Sequence, residues 1–310
     1  MRTRLSFALA LAGIAAAAHA APGDRLRAMF AQRMQAAESG APAVPAPTVL
    51  RYGDDPAQTI AYWPALLPER DHAPAPLVVF VHGGGWTRGS AANATGKWKE
   101  SHFPSEGIAF ASIDYRLVHK VRVEDEAADV AHALAVLLKR ADDLGLDRRQ
   151  VVLMGHSAGA QLVALVGTDE RYLRAAGLSF ADLAGVVPID GAAYDVPAQM
   201  GDGPAIMQHT YREAFGEDPA RQRALSPTLQ AGPRHAARFL LLHVQRPDGV
   251  RQVEALEAAL KAAGAEVTRA AFAGEGLSGH IEINRRLGDP AYPATAVVDD
   301  WLRRVFASRA

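Results

Sequence analysis

The sequence predicts an α/β fold, built on a mostly parallel, doubly wound β-sheet that is flanked by helices. Apolar runs without polar alternation, such as residues 77–81 and 151–154, are typical of strands that are buried on both faces. Segments with helical spacing of apolar residues, such as 124–140, alternate with these strands. The 310 residues are 49% hydrophobic, enough to bury a large core, and carry no internal repeat, which indicates one large domain.

The predicted elements follow in chain order. Residues 49–64 read as a pair of strands around an Asp-Asp-Pro turn. Between residues 192 and 233 the period is lost, and we expect a small irregular cap over a pocket. The predicted strands are residues 77–81, 109–113, 151–154, 185–189, 239–244 and 267–272, and the predicted helices are 124–140, 252–263 and 291–307.

The N-terminus predicts export. Arg2 and Arg4 precede an apolar segment, residues 5–18, and Ala-His-Ala at 18–20 is a small-x-small cleavage site. We expect a signal peptide over residues 1–20, cleavage after Ala20, and a periplasmic or secreted protein that is not membrane-bound after cleavage. An uncleaved anchor is the alternative, but the apolar stretch is short for a membrane span.

Two further segments precede the main domain. Residues 25–38 have the apolar spacing of an amphipathic helix, and residues 41–47 are a Pro/Ala-rich linker. We therefore expect residues 21–48 to be an appendage without chemistry and residues 49–310 to form the main domain.

Composition excludes several functions. The net charge of −1 offers no electrostatic footprint for nucleic acid. The absence of cysteine excludes disulfides, a thiolate nucleophile and cysteine-bound zinc, and the 11 histidines show no metal-binding spacing. We therefore expect a small-molecule substrate, no metal and no cofactor.

The strongest motif is the Gly-His-Ser-Ala-Gly stretch at residues 155–159, between a predicted strand and a helix-compatible run. A serine on such a sharp strand-to-helix turn adopts a strained backbone conformation that exposes its hydroxyl for nucleophilic attack. Flanking glycines remove Cβ atoms that would collide there. A chance small-residue turn is the alternative, but the strand before and the helix after favour Ser157 as a nucleophile.

A second motif, His-Gly-Gly-Gly-Trp at residues 82–86, directly follows the strand 77–81. Three consecutive glycines imply a backbone that closely approaches another group. We predict an oxyanion hole from the amide N–H groups of Gly84, Gly85 and Ala158. A phosphate-binding loop is disfavoured, because no Gly-Lys-Ser/Thr or Gly-x-Gly-x-x-Gly pattern is present.

These motifs carry a family resemblance. Together with Asp-Tyr-Arg-Leu at 114–117 and Asp-Gly-Ala-Ala-Tyr-Asp at 190–195, they resemble the α/β-hydrolase superfamily from about residue 51 to the C-terminus. The chain is similar to bacterial esterases and arylformamidase-like proteins, including kynurenine-formamidase-like members. The resemblance implies hydrolysis of carboxylic esters, aryl formamides or acyl groups on plant polysaccharides.

The general base and the acid should follow the nucleophile in the order Ser, Asp or Glu, His. His280 lies after the last predicted strand, in a Gly-rich stretch that we expect to be a loop, and is the predicted base. The resemblance implies an aspartate immediately before an Arg-Pro-like pair, but Gln245 occupies that place. We predict that Asp248, in the same loop, is the acid. The alternatives are Gln245, Glu275 and Glu282.

Trp86, His156 and Tyr194 are candidate pocket residues, although each could equally be ordinary packing. The sequence thus predicts an exported, serine carboxylesterase-like hydrolase that forms an acyl-enzyme on Ser157. A kynurenine-formamidase-like amidohydrolase is the alternative reaction. A catalytically impaired relative that serves in binding is the alternative class, motivated by Gln245. The sequence leaves the substrate and the oligomeric state open.

Overall fold

A computed structural model of the chain describes residues 37–67 and 73–309. The chain divides into two compact units, residues 1–40 and 41–310, and the following description concerns the second unit. The predicted signal peptide and nearly all of the predicted helix at 25–38 lie outside the described residues. Within those residues, no helix is both long enough and apolar enough to cross a bilayer.

One eight-stranded sheet organises this unit, with the strand order β1-β2-β4-β3-β5-β6-β7-β8. The β1–β2 and β2–β4 pairs are antiparallel, and every other neighbouring pair is parallel. This topology confirms the predicted α/β class. The strands are β1 Thr48–Arg51, β2 Thr59–Trp63, β3 Ala75–Val81, β4 Ala109–Ile113, β5 Leu146–His156, β6 Gly185–Ile189, β7 Arg238–Gln245 and β8 Glu266–Glu275.

Helices connect and flank the strands. In chain order they are α1 Ala91–Ala94, α2 Lys97–Ser105, α3 Val123–Lys139, α4 Ala141–Leu144, α5 Ala158–Thr168, α6 Glu170–Ala175, α7 Val196–Asp202, α8 Gln208–Phe215, α9 Pro219–Ala224, α10 Pro227–Gln230, α11 Pro247–Ala262, α12 Gly276–Arg286 and α13 Pro293–Ala307. Short 3₁₀ turns cover Phe180–Asp182 and Ala205–Met207.

The hydrophobic core lies in two layers, one on each face of the sheet. Alternate residues of β3 point to opposite faces, as the strand period requires. Val79 packs in a cluster that contains Leu134 of α3, whereas Phe80 packs in a cluster that contains Trp301 of α13. Covering both faces explains why the central strands read as continuous apolar runs.

The segment predicted to be an irregular cap, residues 192–233, contains the short helices α7 to α10. Their length of one to two turns leaves no sustained helical period in the sequence. Local signals instead start them, because Asp195 accepts a hydrogen bond from the Ala198 N–H and Asp218 accepts one from the Ala220 N–H.

The parallel strands β3, β5, β6, β7 and β8 all end at one edge of the sheet. In an open α/β sheet, ligands bind at this carboxyl edge. Five chain segments therefore converge here, directly after the ends of those strands. The segments begin at His82, Ser157, Asp190, Arg246 and Gly276.

Glu126 generates a prediction about pH and stability. Its side chain is completely buried on α3, and burial raises its pKa well above the usual range, to which Asp129 and Asp125 also contribute. The folded chain therefore retains a proton that the unfolded chain releases above about pH 4.3, so stability falls as pH rises. Glu126→Gln carries no such proton. Relative to wild type, its free energy of unfolding should rise by about 1 kcal/mol or more between about pH 5 and pH 8.

Urea unfolding of both proteins at the two pH values measures this change. Glu266→Gln is the matched control, because the Glu266 side chain is mostly exposed. A Glu126→Gln effect that is the same at both pH values would contradict the prediction.

Candidate active site

The strand-to-helix turn between β5 and α5 carries Ser157 in a strained conformation, with φ 58° and ψ −117°. The glycines on either side of it are sterically required. A Cβ on Gly155 would lie 2.3 Å from the Gly159 carbonyl oxygen, and a Cβ on Gly159 would lie 2.1 Å from the Val81 oxygen. The serine amide donates to the Ile189 oxygen at 3.0 Å, which ties the turn to the end of β6.

Three side chains from three strand ends form one hydrogen-bonded row. His280 Nε2 lies 3.0 Å from Ser157 Oγ, and His280 Nδ1 lies 2.6 Å from Asp190 Oδ2. His280 lies in the first half of α12 and not in a loop as predicted, because this helix begins at Gly276, directly after β8 ends at Glu275. The row has the order of a nucleophile, a base and an orienting carboxylate.

Asp190 is the carboxylate that contacts the imidazole. It is 1% exposed and follows β6 with a φ of 44°, which is uncommon for a residue with a side chain. Its Oδ1 accepts the Val244 N–H at 3.1 Å, and its Oδ2 accepts Arg246 Nε at 2.9 Å. Burial alone would raise the pKa of Asp190. The bond from His280, the charges of His280 and Arg246, and the Val244 amide instead hold that pKa well below its usual range.

The predicted pairing of His280 with Asp248 is corrected by this geometry. Asp248 Oδ2 accepts Gln199 Nε2 at 3.1 Å and lies 3.7 Å from Arg246 Nη1. Pro247 is the first residue of α11, which begins two residues after β7 ends, so Asp248 is held in a helical turn. The short connection leaves no slack that would bring Asp248 to the imidazole, and Asp190 already occupies Nδ1.

His280 Nδ1 pairs with Asp190, and the other proposed acids have other neighbours among the described residues. Gln245 and Glu275 are register partners at the ends of β7 and β8. Glu282 pairs with Arg286 on the same helix, with 3.2 Å between the charged groups. In the sequence, Asp190 was named only as part of a motif that carries the family resemblance, and it was not predicted to be the acid. Its position immediately after a buried strand was a signal that it lies at the same sheet edge as Ser157.

The triple-glycine loop lies against the serine turn. A Cβ on Gly83 would lie 2.9 Å from the Ser157 Cβ. Gly85 and Ala158, two of the three predicted oxyanion-hole residues, line the same cavity as Ser157, whereas Gly84 is outside this lining. Gly84 has φ 138°, and a Cβ there would lie 1.9 Å from the Arg88 oxygen, so this glycine allows the loop to turn.

The Asp-Tyr-Arg-Leu motif braces this loop. Tyr115 Oη donates to the His82 oxygen at 2.8 Å, and the two rings stack with centroids 4.4 Å apart. Burial lowers the pKa of His82, so the imidazole is neutral near pH 7. Asp114 Oδ1 accepts the Ala91 N–H at 2.7 Å, and Arg116 pairs with buried Asp129 at 2.7 Å. The motif is therefore structural support for the strand-end loops.

A cavity of about 340 Å³ opens above the hydrogen-bonded row. Trp86 lines it, as predicted, and its Nε1 donates to Gln161 Oε1 at 3.1 Å. The full lining comprises Gly85, Trp86, Ser157, Ala158, Ala192, Pro204, Ile206, Met207, Tyr211, Arg246, Pro247, Asp248, Gly276, Leu277 and His280. Most of these residues are apolar or aromatic, and several come from the cap, so the cap covers one side of the cavity.

His156 and Tyr194, the other predicted pocket residues, are outside this lining. His156 packs against His280, with ring centroids 4.4 Å apart, and its Nε2 lies 2.9 Å from the His280 oxygen. Burial, and then the neighbouring His280, lower the pKa of His156 well below its usual value, so a neutral ring donates to that carbonyl. Tyr194 Oη accepts the Gly191 N–H at 3.2 Å. His156 thus contacts the proposed base, and Tyr194 contacts the backbone next to Asp190.

No cluster of three or more potential metal-ligating His, Asp or Glu side chains occurs within residues 37–67 and 73–309. The chemistry that the described groups can perform is attack by a hydroxyl on a carbonyl, with a histidine to carry the proton.

Comparison with known sequences gives matches over part of the chain. Residues 65–180 match the BD-FAE family. Esterase LipC of Mycobacterium tuberculosis is 37% identical over 124 residues, which cover 39% of this chain and 30% of the relative. A probable isoprenylcysteine alpha-carbonyl methylesterase of Oryza sativa subsp. japonica is 32% identical over 113 residues, which cover 36% of this chain and 26% of that relative. The chain thus spans about a third or less of the length of these relatives.

Solved structures match over nearly the whole chain. Esterase B from Lactobacillus Rhamnosis has a TM-score of 0.71 at 20% identity, with 92% of this chain and 93% of that chain covered. Thermogutta terrifontis esterase 2 has a TM-score of 0.67 at 19% identity, with 85% of this chain and 96% of that chain covered. At this identity the likeness shows the fold alone. The chain thus has the α/β-hydrolase fold, and its partial sequence matches are to esterases.

Proposed function

We propose that the protein is a serine hydrolase that cleaves carboxylic esters through an acyl-enzyme on Ser157. The observation that carries the proposal is the hydrogen-bonded row of Ser157, His280 and Asp190, at 3.0 Å and 2.6 Å, below an apolar cavity. The partial matches to esterases support the same reaction class.

The roles follow from the contacts. Ser157 Oγ attacks the carbonyl carbon while its proton passes to His280 Nε2. Gly85 and Ala158, with Gly84, donate their amide N–H groups to the oxyanion. The imidazolium then gives its proton to the leaving alcohol, which breaks the ester bond. Water, deprotonated by the same histidine, releases the acid and restores the serine. Asp190 fixes the tautomer of His280 and stabilises its charged form.

An aryl formamide is the alternative substrate, because the same machinery attacks any accessible acyl carbon. The relatives described above are esterases, and the cavity is larger than a formyl group needs. The observation that favoured a non-catalytic binding role no longer supports it. It depended on Gln245 in place of the acid, and Asp190 supplies a carboxylate to His280.

We also propose that the protein is exported, on the strength of the basic, apolar and small-residue segments in residues 1–20. N-terminal sequencing of the mature protein, which should begin at Ala21, tests this proposal.

A fluorophosphonate probe should label the wild-type protein on Ser157, because a general base contacts this exposed hydroxyl. Ser157→Ala should lose both the label and all ester turnover above background. Mass spectrometry of the labelled peptide and assay of an acyl ester measure the two effects. Ser278→Ala, on the same helix as His280 but outside the cavity lining and the hydrogen-bonded row, is the control. A wild type that does not react with the probe would overturn the proposed nucleophile.

Asp190→Asn should lower kcat by about 10³-fold or more, because an amide cannot stabilise the imidazolium. We expect this loss to exceed that of Asp248→Asn by at least about tenfold. Steady-state kinetics on one short ester, with circular dichroism to verify folding, tests both variants. Asp143→Asn, on the surface, controls for removal of a negative charge. A larger loss in Asp248→Asn than in Asp190→Asn would return the acid role to Asp248.

A substrate panel separates esters from formamides. We expect kcat/KM for the best ethyl ester to exceed that for N-formylkynurenine by about tenfold or more, because an amine leaves less readily than an alcohol. The panel contains ethyl esters of rising acyl length, ethyl ferulate and N-formylkynurenine, with Ser157→Ala as the blank. A preference for N-formylkynurenine would replace the ester proposal by the formamidase alternative.

A further inference from the structure

Asp248 is a carboxylate on the wall of the cavity that the proposed mechanism does not use. The residue is 7% exposed, yet its side chain accepts a single hydrogen bond from the described part of the chain, from Gln199 Nε2 at 3.1 Å. An ionised carboxylate has about four acceptor positions, and a buried one is usually well satisfied. Asp248 Oδ1 therefore has acceptor capacity for a bound molecule.

The nearest cation is already committed elsewhere. Arg246 donates from Nε to Asp190 Oδ2 at 2.9 Å, and from Nη2 to the backbone oxygens of Asp190 and Gly191, each at 3.1 Å. Only Nη1 approaches Asp248, and at 3.7 Å it is beyond hydrogen-bond distance. One guanidinium thus faces two carboxylates, which leaves an excess of about one negative charge among these three side chains.

The rest of the wall does not compensate for this charge. Among the described residues that line the cavity, Arg246 is the guanidinium and Asp248 is the carboxyl group. The neighbouring wall is made by apolar side chains that include Trp86, Met207 and Leu277. Because water is partly excluded there, a carboxylate acts on a bound charge more strongly than it would on an open surface.

We propose that Asp248 is a specificity-determining residue, which selects substrates that carry a hydrogen-bond donor, best a protonated amine, and disfavours those that carry a carboxylate. The donor occupies the acceptor position left free on Asp248, and its positive charge balances the excess negative charge. This inference rests on the proposed ester hydrolysis at Ser157. The inference adds the chemical class of the part of the substrate that contacts the cavity wall at Asp248.

Two pairs of near-isosteric esters that differ in charge test the proposal. On the acyl side, p-nitrophenyl 6-aminohexanoate is compared with p-nitrophenyl heptanoate. On the alcohol side, 2-(dimethylamino)ethyl butyrate in its protonated form is compared with 3-methylbutyl butyrate. In the wild type, the cationic member of at least one pair should have the higher kcat/KM, by about tenfold. Asp248→Asn should reduce that ratio to about one.

Asparagine is the informative substitution because its remaining oxygen can still accept from Gln199, while the charge is removed and the free acceptor is replaced by an amide donor. Asp248 also lines a second cavity of about 140 Å³, so alanine would change the shape of the wall as well. Asp248→Glu restores the charge and should restore the preference for the cation. Asp143→Asn, with its side chain mostly exposed, should leave the ratio unchanged.

The outcomes are separable. If neither pair shows a cation preference in the wild type, or if Asp248→Asn retains it, Asp248 does not select for charge and the proposal is overturned. If the wild type fails to cleave the neutral members, the proposed ester hydrolysis fails first. Thermal unfolding of Asp248→Asn shows whether a changed ratio comes from a folded protein.

Discussion

The paired charge of Asp190 is the interaction on which the site depends. A carboxylate that is 1% exposed is tolerated only when ionic and hydrogen-bond partners replace the lost water. Arg246 and the Val244 amide supply them from the β7 region, and His280 supplies one from α12. The same contacts hold the ends of β6 and β7 and the start of α12 in a fixed relation. Neutralising the charge and aligning the imidazole are thus one structural requirement.

Backbone strain is concentrated at the same edge. The described residues other than glycine with positive φ are Trp86, Ser157, Asp190 and Ala193, and all four lie in segments that follow the ends of β3, β5 and β6. Such conformations persist when their surroundings over-determine them, and here the surroundings are close packing and buried hydrogen bonds. Gly159 lies against the end of β3. Tyr115 holds the loop that follows β3 by a hydrogen bond to the His82 carbonyl. Rigid strands beneath these loops make the strain sustainable.

Local patterns predicted the fold and the serine turn, because buried strands, amphipathic helices and a strained turn each leave a signature within a few residues. His280 was also identified, since chain order alone limits its place. The partner of His280 depends on which of two neighbouring strand ends lies closer in space, and Asp190 and Asp248 are both plausible by sequence. The sequence offered one signal, because Gln245 stands before Arg246 where an acid was expected. An arginine without an adjacent acid suggests that its carboxylate partner comes from another segment, and here that partner is Asp190. The cap helices were missed because they are too short to show a period.

The position of the carboxylate after β6 has a consequence for how this scaffold can vary. The connection between β7 and α11 supplies a cation to Asp190 but no group that contacts the imidazole. The first turn of α11 is therefore released from the reaction itself and still borders the substrate. Substitutions there, beginning at Asp248, can alter which molecules are accepted without dismantling the reacting groups. In a laboratory evolution experiment, that turn would be the first segment to randomise for new selectivity.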